Sequence, residues 1–542
     1  MEVFYIDDQP VPFEKGEKIL SAALRAGLEI PHFCYHPALS VVATCRMCLV
    51  DVTDLGNGRP APKLMTSCST DAMPNMRIST KNDKVQEGRE LVMEYLLVNH
   101  PLDCPICDQS GECTLQDHSY AHGTGHSEME YNKRVYGWRD IGTFVQLERN
   151  RCIHCSRCDR FTREVTGTDE FGMFNRGHEL TLDTFSDRAM TNHFQGNMAD
   201  ICPVGAITEK EFRFKRRAWK LRKVPSVCTG CSTGCNITIE HDRNEVLRLK
   251  PRENQDVNQW WMCDEGRLTY QQMNEREQRL AKPMGRVKGK LLQVTWQQLY
   301  DAVADRLEAL KPNGEQVVAL VDTHSTLEEM FLLRRLLQEV FSSDQVFYPQ
   351  QDWTQPESEF FIETLITTDR APNQAGARLL GLKGSQEHDV ISAMKSAKLL
   401  LVLGNPFTDE QPLLDLAGTT ELMIHIASRQ SEWTDRADAI FPGQSHAEKE
   451  GSFLNKQEHW QRFWPALRPS RHVRPEWQIL SELLHMGTAT PVQQTPQFSQ
   501  IFQQMTSIEH KLFGNLALEK LGEGGISLAD LRQQSDALAQ TA

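Results

Sequence analysis

Cysteine is absent after Cys263, and no apolar run in the chain reaches the roughly 20 residues that a membrane helix needs. The longest candidates, such as Lys398–Gly404, have the length of a strand, so any work at a membrane depends on partners that hold the protein there. Also missing is a Gly-x-Gly-x-x-Gly phrase after a strand. Gly376, Gly381 and Gly384 do not reproduce it, so no dinucleotide-binding loop is expected on this chain. Basic residues are outnumbered, 59 Lys and Arg against 73 Asp and Glu, and the formal net charge of −14 argues against nucleic acid as a partner. Residues 1–20 lack the apolar core of a signal peptide, which points to a reducing compartment, the cytoplasm, and away from a disulfide scaffold.

What is present is a full set of metal donors at the front. All fifteen cysteines lie in residues 34–263, and they fall into four groups with none left over. The groups are Cys34, Cys45, Cys48 and Cys68; Cys104, Cys107 and Cys113 with His100 ahead of them; Cys152, Cys155, Cys158 and Cys202; and Cys228, Cys231, Cys235 and Cys263. Fifteen thiolates and one imidazole make sixteen donors, the number that four iron–sulphur clusters require.

Each group has a competing reading. The first, C-x10-C-x2-C-x19-C, has three donors on one loop and suits a [2Fe-2S] cluster of plant-type ferredoxin plan; a zinc ribbon would show two separated C-x2-C pairs. In the second, a lone histidine at a helix end is ordinarily a cap, but His100 stands three residues before Cys-x2-Cys, and a neutral imidazole in place of a thiolate raises a cluster's potential. His118, His122 and His126 compete as the imidazole donor and read as loop residues. The third group packs three thiols into seven residues and closes with Cys202-Pro203, the bacterial ferredoxin pattern; residues 194–200 hold no cysteine, so a second site of that ancestor is lost. The fourth, C-x2-C-x3-C-x27-C, fits a [4Fe-4S] site and leaves zinc open.

Val3–Ile6 reads as a strand, and Ile19, Leu20, Ala23 and Leu24 have helical spacing between Lys18 and Gly27. A second helix over residues 85–99 is stopped by Pro101, just after His100. Beyond about residue 290 helices and strands alternate. Thr295 with Gln298, and Ser325 with Glu328, read as capping boxes, while Val317–Val321, Leu399–Leu403 and Leu422–Ala427 read as buried parallel strands. The glutamine-rich segment after about 486 keeps some helical periodicity and is given no function.

Three phrases carry a family resemblance: Cys34-Tyr35-His36-Pro37 with Cys45-Arg46-Met47-Cys48; residues 99–107 with Gly111-Glu112-Cys113; and Gly196-Asn197 leading to Cys202-Pro203-Val204-Gly205-Ala206. In this order they resemble the large iron–sulphur (75 kDa) subunit family of respiratory complex I, strongly over residues 1–275. Trp261–Arg267, Ile440-Phe441-Pro442, Glu448–Gly451 and Asn455 resemble molybdopterin oxidoreductases. The resemblance implies a multidomain α+β chain: a plant-type ferredoxin (β-grasp-like) domain at 1–80, a His/Cys3 [4Fe-4S] domain at 81–140 and a bacterial ferredoxin-like [4Fe-4S] domain at 141–220. A molybdopterin-oxidoreductase-type [4Fe-4S] domain at 221–276, a shortened α/β domain of the same kind at 277–485 and a tail at 486–542 follow.

It also implies an electron-transfer role, with no substrate chemistry on this chain, inside an NADH:quinone oxidoreductase on the cytoplasmic side of the inner membrane. The expected partners are a flavoprotein NADH-binding subunit, a ferredoxin-like subunit and quinone-site subunits. The expected cofactors are one [2Fe-2S] and three [4Fe-4S] clusters, without molybdenum, flavin or NAD, and the fourth cluster lies off the main electron line. Two departures stand out: the x19 gap before Cys68, read as an insertion around Leu55–Pro62, and the absence of a later cysteine to hold molybdenum. The alternative is the iron–sulphur subunit of a soluble NAD-linked hydrogenase or formate dehydrogenase; a zinc-stabilised scaffold is the third reading.

Overall fold

The computed structural model describes residues 2–127, 129–185, 188–352, 354, 358–407, 410–488 and 496–533. They form two compact units, Met1–Leu221 with Glu359–Glu363, and Arg222–Ser358 with Thr364–Ala542.

In the first unit, strands Glu2–Ile6 and Gln9–Phe13 alternate outward residues with inward Phe4, Ile6, Val11 and Phe13. Asp7 and Asp8 both take positive φ, as a two-residue hairpin turn that follows the strand twist demands. The resulting five-stranded sheet has the order Gln9–Phe13, Glu2–Ile6, Arg77–Ser79, Leu49–Asp54, Met65–Thr66. Helix Ile19–Arg25 lays Ile19, Leu20, Ala22 and Ala23 onto this sheet. Residues 55–62 loop out between two of the strands, and Asp54 Oδ1 accepts the backbone N–H groups of Gly56, Asn57 and Gly58 at their base.

The helix expected over 85–99 spans Asp83–Leu97, with Asn82 as its cap, accepting the Val85 N–H at 3.1 Å. A short helix, Thr114–His122, follows. His118 and His122 therefore lie on a helix and not, as their glycine-containing surroundings indicated, in a loop; the breakers Gly123 and Gly125 come only after the last turn. The unit also holds a three-stranded sheet, Ile207–Glu209, Val145–Glu148 and Trp138–Asp140, a two-stranded sheet, Phe171–Phe174 with Thr181–Thr184, helix Arg157–Arg160 and helix Gln195–Ile201.

The second unit begins with the antiparallel meander Arg222–Val227, Asn236–Asp242 and Glu245–Pro251. Its main sheet has eight strands in the order Lys290–Gln293, Met284–Val287, Ala439–Pro442, Leu422–Ala427, Leu399–Leu403, Val317–Val321, Val346–Pro349, Lys383–Ser385. The last six run parallel. Helices cover both faces, which is why Val317–Val321, Leu399–Leu403 and Leu422–Ala427 are apolar without alternation. On one face Val317, Ala319 and Val321 meet helix Leu327–Phe341 and helix Glu476–Gly487. On the other Val318 and Leu320 meet helices Glu387–Met394 and Gln411–Ala417.

The capping box at Thr295 and Gln298 is formed as expected. The second is shifted by one residue: Thr326 and Glu329 make it, while Glu328 is buried and accepts the Ser452 hydroxyl at 2.5 Å. Helix Phe498–Ile508, in the segment given no function, buries Phe498, Ile501, Phe502 and Met505 in the main core, with Phe502 stacked on Trp460 at 5.0 Å. Among the described residues no helix is long and apolar enough to cross a membrane.

Candidate metal centres

The first group sits on the loop after Phe33 and, through Cys68, on the turn that follows strand Met65–Thr66. Ala43 and Arg46 adopt positive φ, which curls residues 43–48 so that Cys45 and Cys48 turn inward. All four thiols are buried. Cys45, Cys34, Cys68 and Cys48 form a continuous run, each in hydrogen-bond contact with the next. These contacts divide the thiols: Cys34 is held below the usual thiol range by Cys45, and Cys48 down at about 7 by Cys68, while Cys45 and Cys68 are pushed up. The Cys34 backbone N–H points at Cys45 Sγ, 3.5 Å away.

In the third group Cys152, Cys155, Cys158 and Cys202 line one small cavity walled by Leu147, Ile153, Leu182, Val204 and Ile207. His154 and Ser156, between the cysteines, both have positive φ, so the loop winds around its own sulphurs. Burial raises Cys155 to about 11 and lifts Cys152 and Cys158 as well; the thiols keep their protons until a metal displaces them. The His154 N–H donates to Cys152 Sγ at 3.3 Å.

The second group is held by the end of helix Asp83–Leu97, where the His100 N–H bonds Leu97 O at 3.1 Å. Burial, then Lys133 and Arg151, lower the ring to about 4, so the imidazole is neutral at physiological pH. Its Nδ1 is buried and has no hydrogen-bond partner, while the Arg151 backbone favours a proton elsewhere on the ring. A neutral, buried ring with an unpartnered nitrogen is the form a metal-ligating histidine takes. His100, Cys104 and Cys113 share a cavity of about 400 Å³, and His126 also reaches its wall. Cys107 is not on that wall; its thiol lies under Gly205, where an added Cβ would stand 2.2 Å from Sγ. His118 packs its ring against Phe33, 5.1 Å away, and burial lowers it to about 4.

The groups do not follow chain order in space. Arg160 donates to the carbonyls of both Cys34 and Cys155, tying the first group to the third. Pro203, next to Cys202, accepts the Thr114 N–H at 3.1 Å and the Cys113 thiol at 3.8 Å, tying the third group to the second. Hydrogen bonds thus join the third group to each of the other two. Arg160 and Pro203 carry these contacts, and nothing in the spacing of the sequence singles out Arg160.

The fourth group belongs to the second unit. The Cys228 N–H bonds Cys235 O at 2.9 Å across the mouth of the meander. Cys263 caps helix Asp264–Leu268 and accepts the Gly266 N–H on Sγ at 3.3 Å, and the Gly230 N–H donates to Cys228 Sγ at 3.4 Å. A Cβ on Gly266 would lie 3.2 Å from Cys228 Sγ and 3.3 Å from Cys263 Sγ, so a larger residue would press on both sulphurs. Beside this group, at the carboxyl ends of the parallel strands, is a cavity of about 380 Å³ lined by Asp322, Asn405, Arg429, Glu329, Lys449 and Glu476 among others. Burial alone would lower Lys449, but Glu329 at 2.6 Å and Glu476 at 2.8 Å raise it.

Among the described residues no three His, Cys, Asp or Glu side chains close around one point as the ligands of a single bound ion do. The groups gather mostly buried thiols, and in the first, third and fourth an N–H donor is aimed at sulphur. The orphaned Nδ1 of His100 and the cradles at Gly205 and Gly266 fit a bulky, sulphur-rich group.

Comparison with known proteins accounts for most of the chain. Family models match as a 2Fe-2S iron-sulfur cluster binding domain at residues 3–83 and an NADH-ubiquinone oxidoreductase-G iron-sulfur binding region at 89–128. They continue as an NADH-quinone oxidoreductase subunit 3 ferredoxin-like domain at 142–208, a molybdopterin oxidoreductase Fe4S4 domain at 221–275, and molybdopterin oxidoreductase at 279–356 and 352–486. The NADH-quinone oxidoreductase G subunit of Rickettsia bellii is 37% identical over 68% of this chain and 53% of its own length. The mitochondrial NADH dehydrogenase [ubiquinone] iron-sulfur protein 1 of Solanum tuberosum is 41% identical over 64% of this chain and 45% of its own. A solved chain of an NAD+-reducing [NiFe]-hydrogenase aligns at 31% identity over 40% of this chain and 90% of that one, with a TM-score of 0.35. The chain spans about half the length of the curated relatives it matches. With this series of domains in this order, and these relatives, the chain belongs to the 75 kDa iron–sulphur subunit family of NADH-quinone oxidoreductase.

Proposed function

We propose that this chain is the iron–sulphur relay subunit of an NADH-quinone oxidoreductase. Its ligand sets are Cys34, Cys45, Cys48 and Cys68 for a [2Fe-2S] cluster, and three [4Fe-4S] sets: His100, Cys104, Cys107 and Cys113; Cys152, Cys155, Cys158 and Cys202; Cys228, Cys231, Cys235 and Cys263. The observation that carries this reading is the hydrogen-bonded succession of first, third and second groups inside one unit. When bound, an iron–sulphur cluster takes up and gives back single electrons. The chain's own part is to bury the thiols, keep His100 neutral, direct backbone N–H groups at sulphur and fix the order of the groups.

The expected domain boundaries, 1–80, 81–140, 141–220, 221–276, 277–485 and 486–542, stand as part of the proposal. Electrons enter at the first group from the flavoprotein NADH-binding subunit and leave near Cys104 toward the ferredoxin-like subunit and the quinone-site subunits. Cys104 is exposed, and beside it Leu102 and Ile106 are exposed apolar residues, a surface suited to a protein partner. Peripheral placement on the cytoplasmic side of the inner membrane follows from those partners. The α/β domain acts as a structural remnant, without molybdenum, because no cysteine follows Cys263. The hydrogenase or formate dehydrogenase alternative has less support, since the relatives at 35–41% identity bear complex I names.

The test is turnover of complexes shown to retain every subunit. Cys104→Ser is expected to stop NADH-to-quinone electron flow, and Cys228→Ser to leave it nearly unchanged while the fourth cluster is lost. Equal impairment in fully assembled complexes would place the fourth cluster in the main line.

A further inference from the structure

Two arginines stand between the first and third thiol groups. Arg160 is 1% exposed. Its Nη2 donates to Cys34 O at 2.5 Å and Cys155 O at 3.4 Å, its Nη1 to Ser40 O, and its Nε to Ser156 O at 3.3 Å and Ser156 Oγ at 3.1 Å. Arg157, at the start of the same short helix and half-buried, donates from Nη1 to Ile201 O at 3.0 Å and from Nη2 to Tyr35 O, and its Nε has no partner. Tyr35 follows Cys34 and Ile201 precedes Cys202, so both arginines join the ligand loops of one group to those of the other.

Every acceptor of these two guanidinium groups is a neutral oxygen. The adjacent carboxylate, Asp159, makes its ion pair with Arg163 at 3.0 Å and acts on Arg160 only through space. A buried cation with no hydrogen-bonded counter-ion is costly, and two cations side by side add their repulsion to that cost. The cysteines of both groups, deprotonated once they hold a metal centre, can offset it: Arg157 interacts electrostatically with Cys34, Cys155 and Cys202. Carbonyls hold the arginines in place; the missing negative charge is that of the thiolate-held centres on either side.

We infer that Arg160, with Arg157 beside it, is a positioning residue for electron transfer between the first and third centres, locking their ligand loops together and supplying a counter-charge that both share. The inference rests on the ligand assignment proposed above. One electron passes from the first centre to the third, with no bond made or broken and no proton moved. A fixed positive charge favours the reduced, more negative state of each centre and so raises both potentials.

The test is an EPR-monitored redox titration of the full-length chain purified anaerobically. Arg160→Gln is expected to lower the first and third midpoints by at least a tenfold change in the one-electron equilibrium, about 59 mV, and to leave the fourth unmoved. Arg160→Lys keeps the charge and is expected to stay nearer the wild type. Arg157→Gln, at the less buried site, is expected to shift both midpoints in the same direction by less, and it decides the matter if Arg160→Gln does not fold. Wild-type midpoints in the folded Gln variants, or an equal shift of all four centres, overturn the inference while the ligand assignment stands. A wild-type chain without iron–sulphur signals overturns the ligand assignment and the inference with it.

Discussion

Gly205→Ala adds one methyl group inside the third group's Cys202-Pro203 segment, yet its effect is expected at the second group. An ideal Cβ at residue 205 stands 2.2 Å from Cys107 Sγ and 3.0 Å from Gln109 Cβ. Reaching an ordinary contact of 3.4 Å from that 2.2 Å moves the sulphur by about 1.2 Å. A preorganised ligand set tolerates roughly 0.5 Å. The Cys107 backbone is not free to follow, since Arg217 donates to its carbonyl at 2.6 Å and its own N–H bonds Asp103 O at 2.7 Å. The side chain alone must swing away. The second cluster is therefore expected to weaken by 10- to 100-fold or be lost, taking iron from about 14 to about 10 per chain by the cluster counts. Iron and sulphide analysis with EPR of the anaerobic full-length variant reads this directly, and the first, third and fourth signals serve as internal controls. Full iron with an unshifted second signal would show that the Cys107 thiol is not a ligand.

His100→Cys is expected to keep the second cluster and lower its potential on the order of 100 mV, because a thiolate adds a negative charge where a neutral ring stood; an unmoved midpoint in the EPR titration would remove His100 from the ligand set. Glu328 titrates near 7 in the fold, mainly through burial, against an ordinary 4.5. Its folded pKa is raised, so the stability it contributes is complete below about pH 4.5 and is lost as pH rises toward 7, about 3 kcal/mol by that shift. Hydrogen exchange of the Val317–Val321 amides is expected to quicken across that window and to do so less in Glu328→Gln, with Glu476, also raised to about 7 by burial, supplying the remainder. The same slope in the variant and the wild type would contradict the assignment to Glu328.

The parts of this protein that are legible in its sequence are those where local pattern and tertiary need coincide. Val317–Val321 and Leu399–Leu403 announce themselves because a strand covered on both faces has no position for a polar residue. The capping signal at 325–329 is ambiguous because Ser325, Thr326, Glu328 and Glu329 supply two registers, and burial of Glu328 against Ser452 decides between them. Helix Phe498–Ile508 looks like a polar tail since glutamine fills its outer face, while Phe498, Ile501, Phe502 and Met505 are spaced for the core they enter. Cysteine spacing is enough to find the four groups, but their spatial order is written in residues of ordinary type, Arg157, Arg160, Pro203 and Gly205, whose roles exist only after distant parts of the chain have met.

Four ligand sets filled by iron–sulphur clusters are the core of the proposed function, and metal and sulphide content of the anaerobically purified full-length chain, read with EPR of its reduced state, tests them most directly. About 14 irons and about as many sulphides per chain are expected, with one [2Fe-2S] and three [4Fe-4S] signals. Stoichiometric zinc with little iron and no sulphide would contradict the four-cluster assignment.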